Sequence, residues 1–323
     1  METNDYQRWA NPQLILVATN LADRAVLGLQ AIAQARRSGA RIVLVHIVRP
    51  RSIRTALEPK IDSPITSSRV AAAWEVIHRT AYMIESQGIL CEPIVVEGDP
   101  VDEIPKLVNT FGADRVIVAT RSPSGVGRLI EGSVAEALIA CLSIPVCAIG
   151  PRVVTSPFLD TGGGRVLLVL PVNETWPVYL QFGFELARSR RANVAVLPIL
   201  ETPQLTQATS QDAYAGARAQ VSSIITESGF SAMNPEILLG EGDPARAILD
   251  QGACPSRDLI VMASSPSCVR SKLLGGSIVH QVLADALCPV ITLREPESAE
   301  RCTSDTNSAV ENGCHAETGD LAA

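Results

Sequence analysis

Residues 94–124 read IVVEGDPVDEIPKLVNTFGADRVIVATRSPS, and residues 237–267 read ILLGEGDPARAILDQGACPSRDLIVMASSPS. In each, an apolar run ends in EGDP, a stretch of helical spacing follows, and a second apolar run leads to Ser-Pro-Ser. Downstream, LIEGSVAEALIACLSIPVCAI (129–149) is matched by LLGGSIVHQVLADALCPVITL (273–293). Glu97 stands against Glu241 and Gly132 against Gly276, an offset of 144 residues. Self-similarity at a fixed period means one structural unit written twice.

Within each unit, short β-branched runs alternate with longer helical periods. In the first unit LILVAT (14–19), RIVLVHIV (41–48), PIVVE (93–97), RVIVAT (115–120) and PVCAI (145–149) are apolar without alternation, the pattern of strands buried on both faces. Helical spacing covers Asp23 to Ser38, Ser68 to Gln87, Pro100 to Phe111 and Ser133 to Leu142. In the second unit RVLLVL, NVAVLPI, EILL, DLIVMA and PVITL are the strands, with helices at Trp176 to Arg190, Thr206 to Ser228, Pro244 to Gly252 and Ser277 to Leu287. Five strands alternating with four helices predict a doubly wound, parallel α/β sheet in each half. The expected boundaries are 1–150 for the first unit, 151–164 for a Pro/Gly linker, 165–294 for the second unit and 295–323 for a polar, disordered tail. Residues 50–67 read as a Pro/Ser-rich loop.

Bulk properties exclude several classes. The 323 residues are 46% hydrophobic, enough to bury two cores, and the net charge of -7 opposes binding to a polyanion. METNDYQRWANPQ lacks the basic and apolar segments of a signal peptide, and no apolar run reaches membrane-spanning length, so a soluble, cytoplasmic protein is expected. The eight cysteines form no C-x-x-C pair, and Cys91, Cys147 and Cys288 fall in or beside strands, where a thiol serves as a small apolar residue. His46, His78, His280 and His315 are too scattered to argue a dyad or a metal. Asp99 and Asp243 are expected to cap helices that begin with Pro100 and Pro244. Asp102 and Glu103 then complement the helix dipole, and Ala245 and Arg246 at the same place in the second unit argue against acid-base chemistry.

In an open parallel sheet a ligand sits beyond the strand C-termini, where the connections change direction. That places a crevice between the ends of the first and fourth strands, at Ala18-Thr19-Asn20 and Ala119-Thr120-Arg121, and again at Pro171-Val172-Asn173 and Ala263-Ser264-Ser265. A Gly-Ser pair follows at a helix start, where free N–H groups favour an anion. A second reading of the same pair is a helix cap, since Ser133 and Glu136 spell a capping box, whereas His280 replaces the Glu in the second unit.

The order ILVAT, GARIVLVHIV, EGDP, ADRVIVATRS, LIEGSVAEAL and IPVCAI resembles the universal stress protein family, in a tandem form that covers nearly the whole chain. The resemblance implies ATP or ADP as the ligand, held by G-x-x-G-(x9)-G-(S/T) after the fourth strand and by an Asp at the end of the first. Carried onto the first unit, it implies contacts from Ala18, Thr19, Asn20, Ile47, Ala119, Arg121, Ser122, Gly132, Ser133 and Val134. Gly132 and Ser133 fit that pattern, but the two leading glycines are Ala119 and Ser122 and the Asp is Asn20. In the second unit Ala263 and Pro266 replace the glycines and Asn173 the Asp, with Gly276, Ser277 and Lys272 remaining; a proline there removes an N–H donor. Nucleotide binding is therefore expected in the first unit sooner than in the second. The resemblance also implies that PVCAI and PVITL pair, making one chain the equivalent of a family homodimer.

Three functions follow for comparison: a nucleotide-sensing stress regulator, an interaction module without nucleotide that acts through an unknown protein partner, and an adenine-nucleotide enzyme. The last lacks its SGGxDS-like or HIGH-like loop, and no Gly-Lys dipeptide exists for a Walker A loop. A regulatory protein without catalytic activity is the expectation.

Overall fold

The computed structural model describes residues 3–49, 64–120, 134–153, 164–171, 176–199, 207–238, 240, 243–253, 257–264 and 278–294. The expected tail at 295–323 lies outside these residues, as do most of the linker and the 50–63 part of the loop.

The continuous apolar runs become strands covered on both faces. In the first unit these are β1 (Leu14–Ala18), β2 (Arg41–Val48), β3 (Cys91–Glu97), β4 (Arg115–Ala119) and β5 (Val146–Ile149). The second has β6 (Arg165–Pro171), β7 (Asn193–Ile199), β8 (Glu236–Ile237), β9 (Arg257–Ser264) and β10 (Val290–Arg294). The helices are α1 (Thr3–Ala10), α2 (Arg24–Ser38), α3 (Pro64–Glu85), α4 (Pro100–Phe111), α5 (Val134–Cys141), α6 (Trp176–Arg190), α7 (Gln207–Glu227), α8 (Pro244–Gly252) and α9 (Ile278–Asp285).

All ten strands join one sheet in the order β3-β2-β1-β4-β5-β10-β9-β6-β7-β8. Every pairing is parallel except β5 with β10, which is antiparallel with Cys147 opposite Ile291. The expected pairing of PVCAI with PVITL is thus the seam of the molecule. Each strand splits its residues between two shared cores. Ile15, Val17, Ile42, Ile117, Val166 and Leu168 face one, and Leu14, Leu16, Val43, Val116, Leu167 and Val169 face the other. Period two along each strand enforces that division.

β3 is an edge strand that contains Pro93. Ile42 N–H donates to Leu90 C=O and Gly98 N–H donates to Val48 C=O, so even-numbered residues turn their backbone toward β2. By alternation Pro93 has its missing N–H on the open side, where no ladder bond is lost.

Three boundaries differ from expectation. α3 begins at Pro64, inside the expected 50–67 loop, because a proline at the first helical position sacrifices no hydrogen bond. β8 is two residues long where EILL suggested four. α1 was not anticipated. Tyr6, Trp9 and Ala10 bury its inner face, and the helix packs on α6 of the second unit. Arg8 pairs with Asp114, whose Oδ2 accepts from the N–H groups of Gln13 and Leu14. The next residue, Arg115, donates to Trp9 C=O and to Gln34 Oε1, so α1 is held by the first unit while it covers the second.

Candidate functional site

The crevice opens where paired strands part. β1 and β4 run together as far as Ala18 opposite Val118. Thr19 N–H then donates to Val45 of β2, and Thr120 N–H donates to Ile149 of β5, so the chains diverge. The second unit repeats this: β6 and β9 pair as far as Val169 opposite Met262, after which Pro171 sits beside Ile199 and Ser264 beside Arg294. Both switch points therefore lie where the element order places them.

Of the residues assigned to the first site, the structure places Ala18, Ile47 and Val134 with the apolar core on the side of the sheet covered by α4 and α5. Thr19 is buried, and Ala119 packs on the opposite face of the sheet. Asn20 is exposed at the mouth. Arg121, Ser122, Gly132 and Ser133 lie outside the described residues, as do Asn173, Pro266, Lys272, Gly276 and Ser277 of the second unit.

The β1–α2 turn is organised by its own side chains. Asn20 Oδ1 accepts from Ala22 N–H at 2.9 Å and from Asp23 N–H at 3.2 Å. Thr19 Oγ1 donates to Asp23 Oδ1 at 2.8 Å and accepts from Leu21 N–H at 2.9 Å. His46 Nδ1 lies 2.8 Å from Thr19 C=O; because a carbonyl only accepts, Nδ1 carries the proton. These contacts hold Leu21 at φ 70°, a left-handed conformation that a Leu rarely adopts. Asp23 and His46 were not assigned to the site by sequence. The signal for Asp23 was its four-residue spacing from Thr19, whereas nothing local marked His46.

The chemistry is mixed. The apolar side chains of Ala18, Ile47 and Val134 suit a heterocyclic base. The amide oxygen that stands where the resemblance requires a carboxylate is already spent on two backbone donors. An incoming ribose hydroxyl finds there neither a charge nor an unused primary acceptor.

The EGDP turns do structural work. Asp99 accepts from Val101 N–H and Asp243 from Arg246 N–H, both at 2.8 Å, as capping predicts. Glu103 is paired with Lys106. Gly98 has φ 155°, and a Cβ there would lie 2.6 Å from Glu103 Cγ. Cys91, Cys147 and Cys288 are buried free thiols, and burial raises Cys91 to about 12. Among the described residues no three His, Cys, Asp or Glu side chains group as metal ligands. Glu136 of the expected capping box has a partner that the box did not include, His280 Nδ1 of the second unit; Ser133 lies outside the described residues.

Among the described residues no helix is long and apolar enough to cross a membrane. Residues 12–150 and 165–294 match the model described as the universal stress protein family. Over 72 residues the chain is 35% identical to the stress response protein NhaX of Bacillus subtilis (strain 168), a match covering 22% of this chain and 43% of that one. The chain thus spans less than half the length of that curated relative. It is similar in structure to a universal stress protein from Archaeoglobus fulgidus DSM 4304, with TM-score 0.65, 19% identity, and 88% of this chain and 97% of that one covered. A functionally unknown protein from Pseudomonas aeruginosa PAO1 gives TM-score 0.62, 16% identity, and coverage of 90% and 95%. At those identities the likeness carries the fold alone.

Proposed function

Because the chain belongs to the universal stress protein family, we propose that it is a regulator in a stress response, not an enzyme, and that its first unit binds ATP or ADP weakly while its second does not. The observation that supports this reading is the divergence of β1 from β4 on the sheet face that carries apolar Ala18, Ile47 and Val134. The similarity to a stress response protein supports the physiological setting. Weakness follows from Asn20, whose oxygen caps its own turn. The second unit is set apart by Pro266, which removes a donor from the loop where the family cradles phosphate.

The Asn20 contacts equally favour a second reading, an interaction module that has lost its nucleotide and signals through a protein partner. Two measurements separate them. Native protein is purified and denatured, and the released small molecules are identified by mass spectrometry; intact protein is titrated with millimolar ATP in a calorimeter. Adenine nucleotide in the first, or heat in the second that Gly132→Leu abolishes and Gly276→Leu leaves intact, supports binding at the first unit. No nucleotide and no heat leave the interaction module; equal loss at both glycines removes the distinction between the units.

A further inference from the structure

The two units meet about a local two-fold axis. β5 and β10 cross with Cys147 opposite Ile291, and these residues occupy equivalent positions in the repeat. On the α5/α9 face of the sheet, α5 and α9 correspond over eight residues each, from Val134 and Ile278 to Cys141 and Asp285. Glu136 and His280 are therefore equivalents as well, 144 residues apart, and they are in contact. A side chain that touches its own equivalent lies on the axis.

Identical subunits place identical groups on such an axis. This chain places a carboxylate on one side and an imidazole on the other. The His280 and Glu136 side chains are only 18% and 16% exposed, so solvent screens them poorly. A second contact repeats the logic. Arg152, just beyond β5, pairs with Asp285 at 3.0 Å. The equivalent of Asp285 in the first unit is Cys141, and that of Arg152 in the second is Pro296. Thr292 Oγ1 also donates to Val146 C=O across the seam, where the equivalent of Thr292 is Ala148, which has no hydroxyl.

Pairing of two first units gives none of these contacts, whereas two second units would keep the threonine hydroxyl on a backbone carbonyl, Thr292 on Val290. Two first units would set Glu136 against Glu136 and Arg152 against Cys141. Two second units would set His280 against His280 with no carboxylate between them, but would keep a cation at Asp285, since Arg294 reaches the equivalent residue Cys141 here. We propose that the seam is a side-chain-coded interface in which Glu136 and Arg152 of the first unit, complementary to His280 and Asp285 of the second, favour unlike pairing and reject a second copy of the first unit. Like-charge juxtaposition at an interface is a recognised route to specificity. The code stops chains from linking through two first units. It is independent of any nucleotide.

The test exchanges the code between two full-length chains. One carries His280→Glu with Asp285→Arg, and the other carries Glu136→His with Arg152→Asp. Each alone has unmatched or like-charged groups in its own seam, but the first unit of either chain is complementary to the second unit of the other. Light scattering on the separated and mixed proteins reads the outcome. A two-chain species on mixing, about tenfold more abundant than with either variant alone, is expected for a discriminating charge pair. Should mixing leave the two-chain fraction at the level of the separate variants, the code is refuted. If either variant alone fails to fold, the two are co-expressed; recovery of a soluble two-chain species supports the code and continued failure overturns it.

Discussion

Arg115 is 2% exposed beneath α1, and burial lowers its pKa to about 10. It persists there through hydrogen bonds to Gln34 and Trp9 and the nearby Asp114 carboxylate. Arg115→Met leaves those acceptors buried without a donor and should cost roughly 3 kcal/mol in urea unfolding. Asp99→Ala should cost about 1 kcal/mol, and Asp243→Ala a similar amount, through loss of one cap each. Cys91 gives a pH signature. Its folded-state value of about 12 stands above the ordinary 9.0, so the folded protein holds a proton that the unfolded chain releases. Its contribution is complete below pH 9 and declines as pH rises toward 12. Cys91→Ala should flatten that decline in alkaline unfolding curves, and an unchanged slope would assign it to other groups. Caps could be read from sequence because Asp, Pro and the following helical period are contiguous. The Arg115 cluster could not, because its bonds reach 81 and 106 residues along the chain.

Among elements, α1 is the instructive case. Tyr6, Trp9 and Ala10 have the spacing of an amphipathic helix, but eight residues are too few for a free helix to be stable in water, so the sequence reading missed it. Packing on α6 and the Arg8–Asp114 pair supply what propensity does not. Trp9→Ala should therefore destabilise by about 3–5 kcal/mol, the range for a buried aromatic. Calorimetry should show the loss in both units, since α1 belongs to one and covers the other. The interior strands were legible because burial on both faces writes an unbroken apolar run. β8 was less so, since a short strand at the far edge depends on β7 alone for its pairing.

At the scale of the molecule, one sheet and two cores cross the seam, so unfolding should be coupled between the units. Gly150 sits tightly against α9: a Cβ there would lie 2.6 Å from Leu283 C=O. Gly150→Ala should push α9 from β5 and split a single thermal transition into two; one unchanged transition would show that the seam absorbs the methyl group. The sequence by itself determined the repeat, the doubly wound topology and the two switch points, because hydrophobic period and turn chemistry are local properties that recur along each unit. Its family resemblance carried the seam pairing. Tertiary structure alone decided how His46 reaches the Thr19 carbonyl, and how Glu136 meets His280. The first depends on β1 and β2 lying side by side, which brings together residues 27 apart in the chain. The second depends on an axis that exists only once the two halves of the chain have docked.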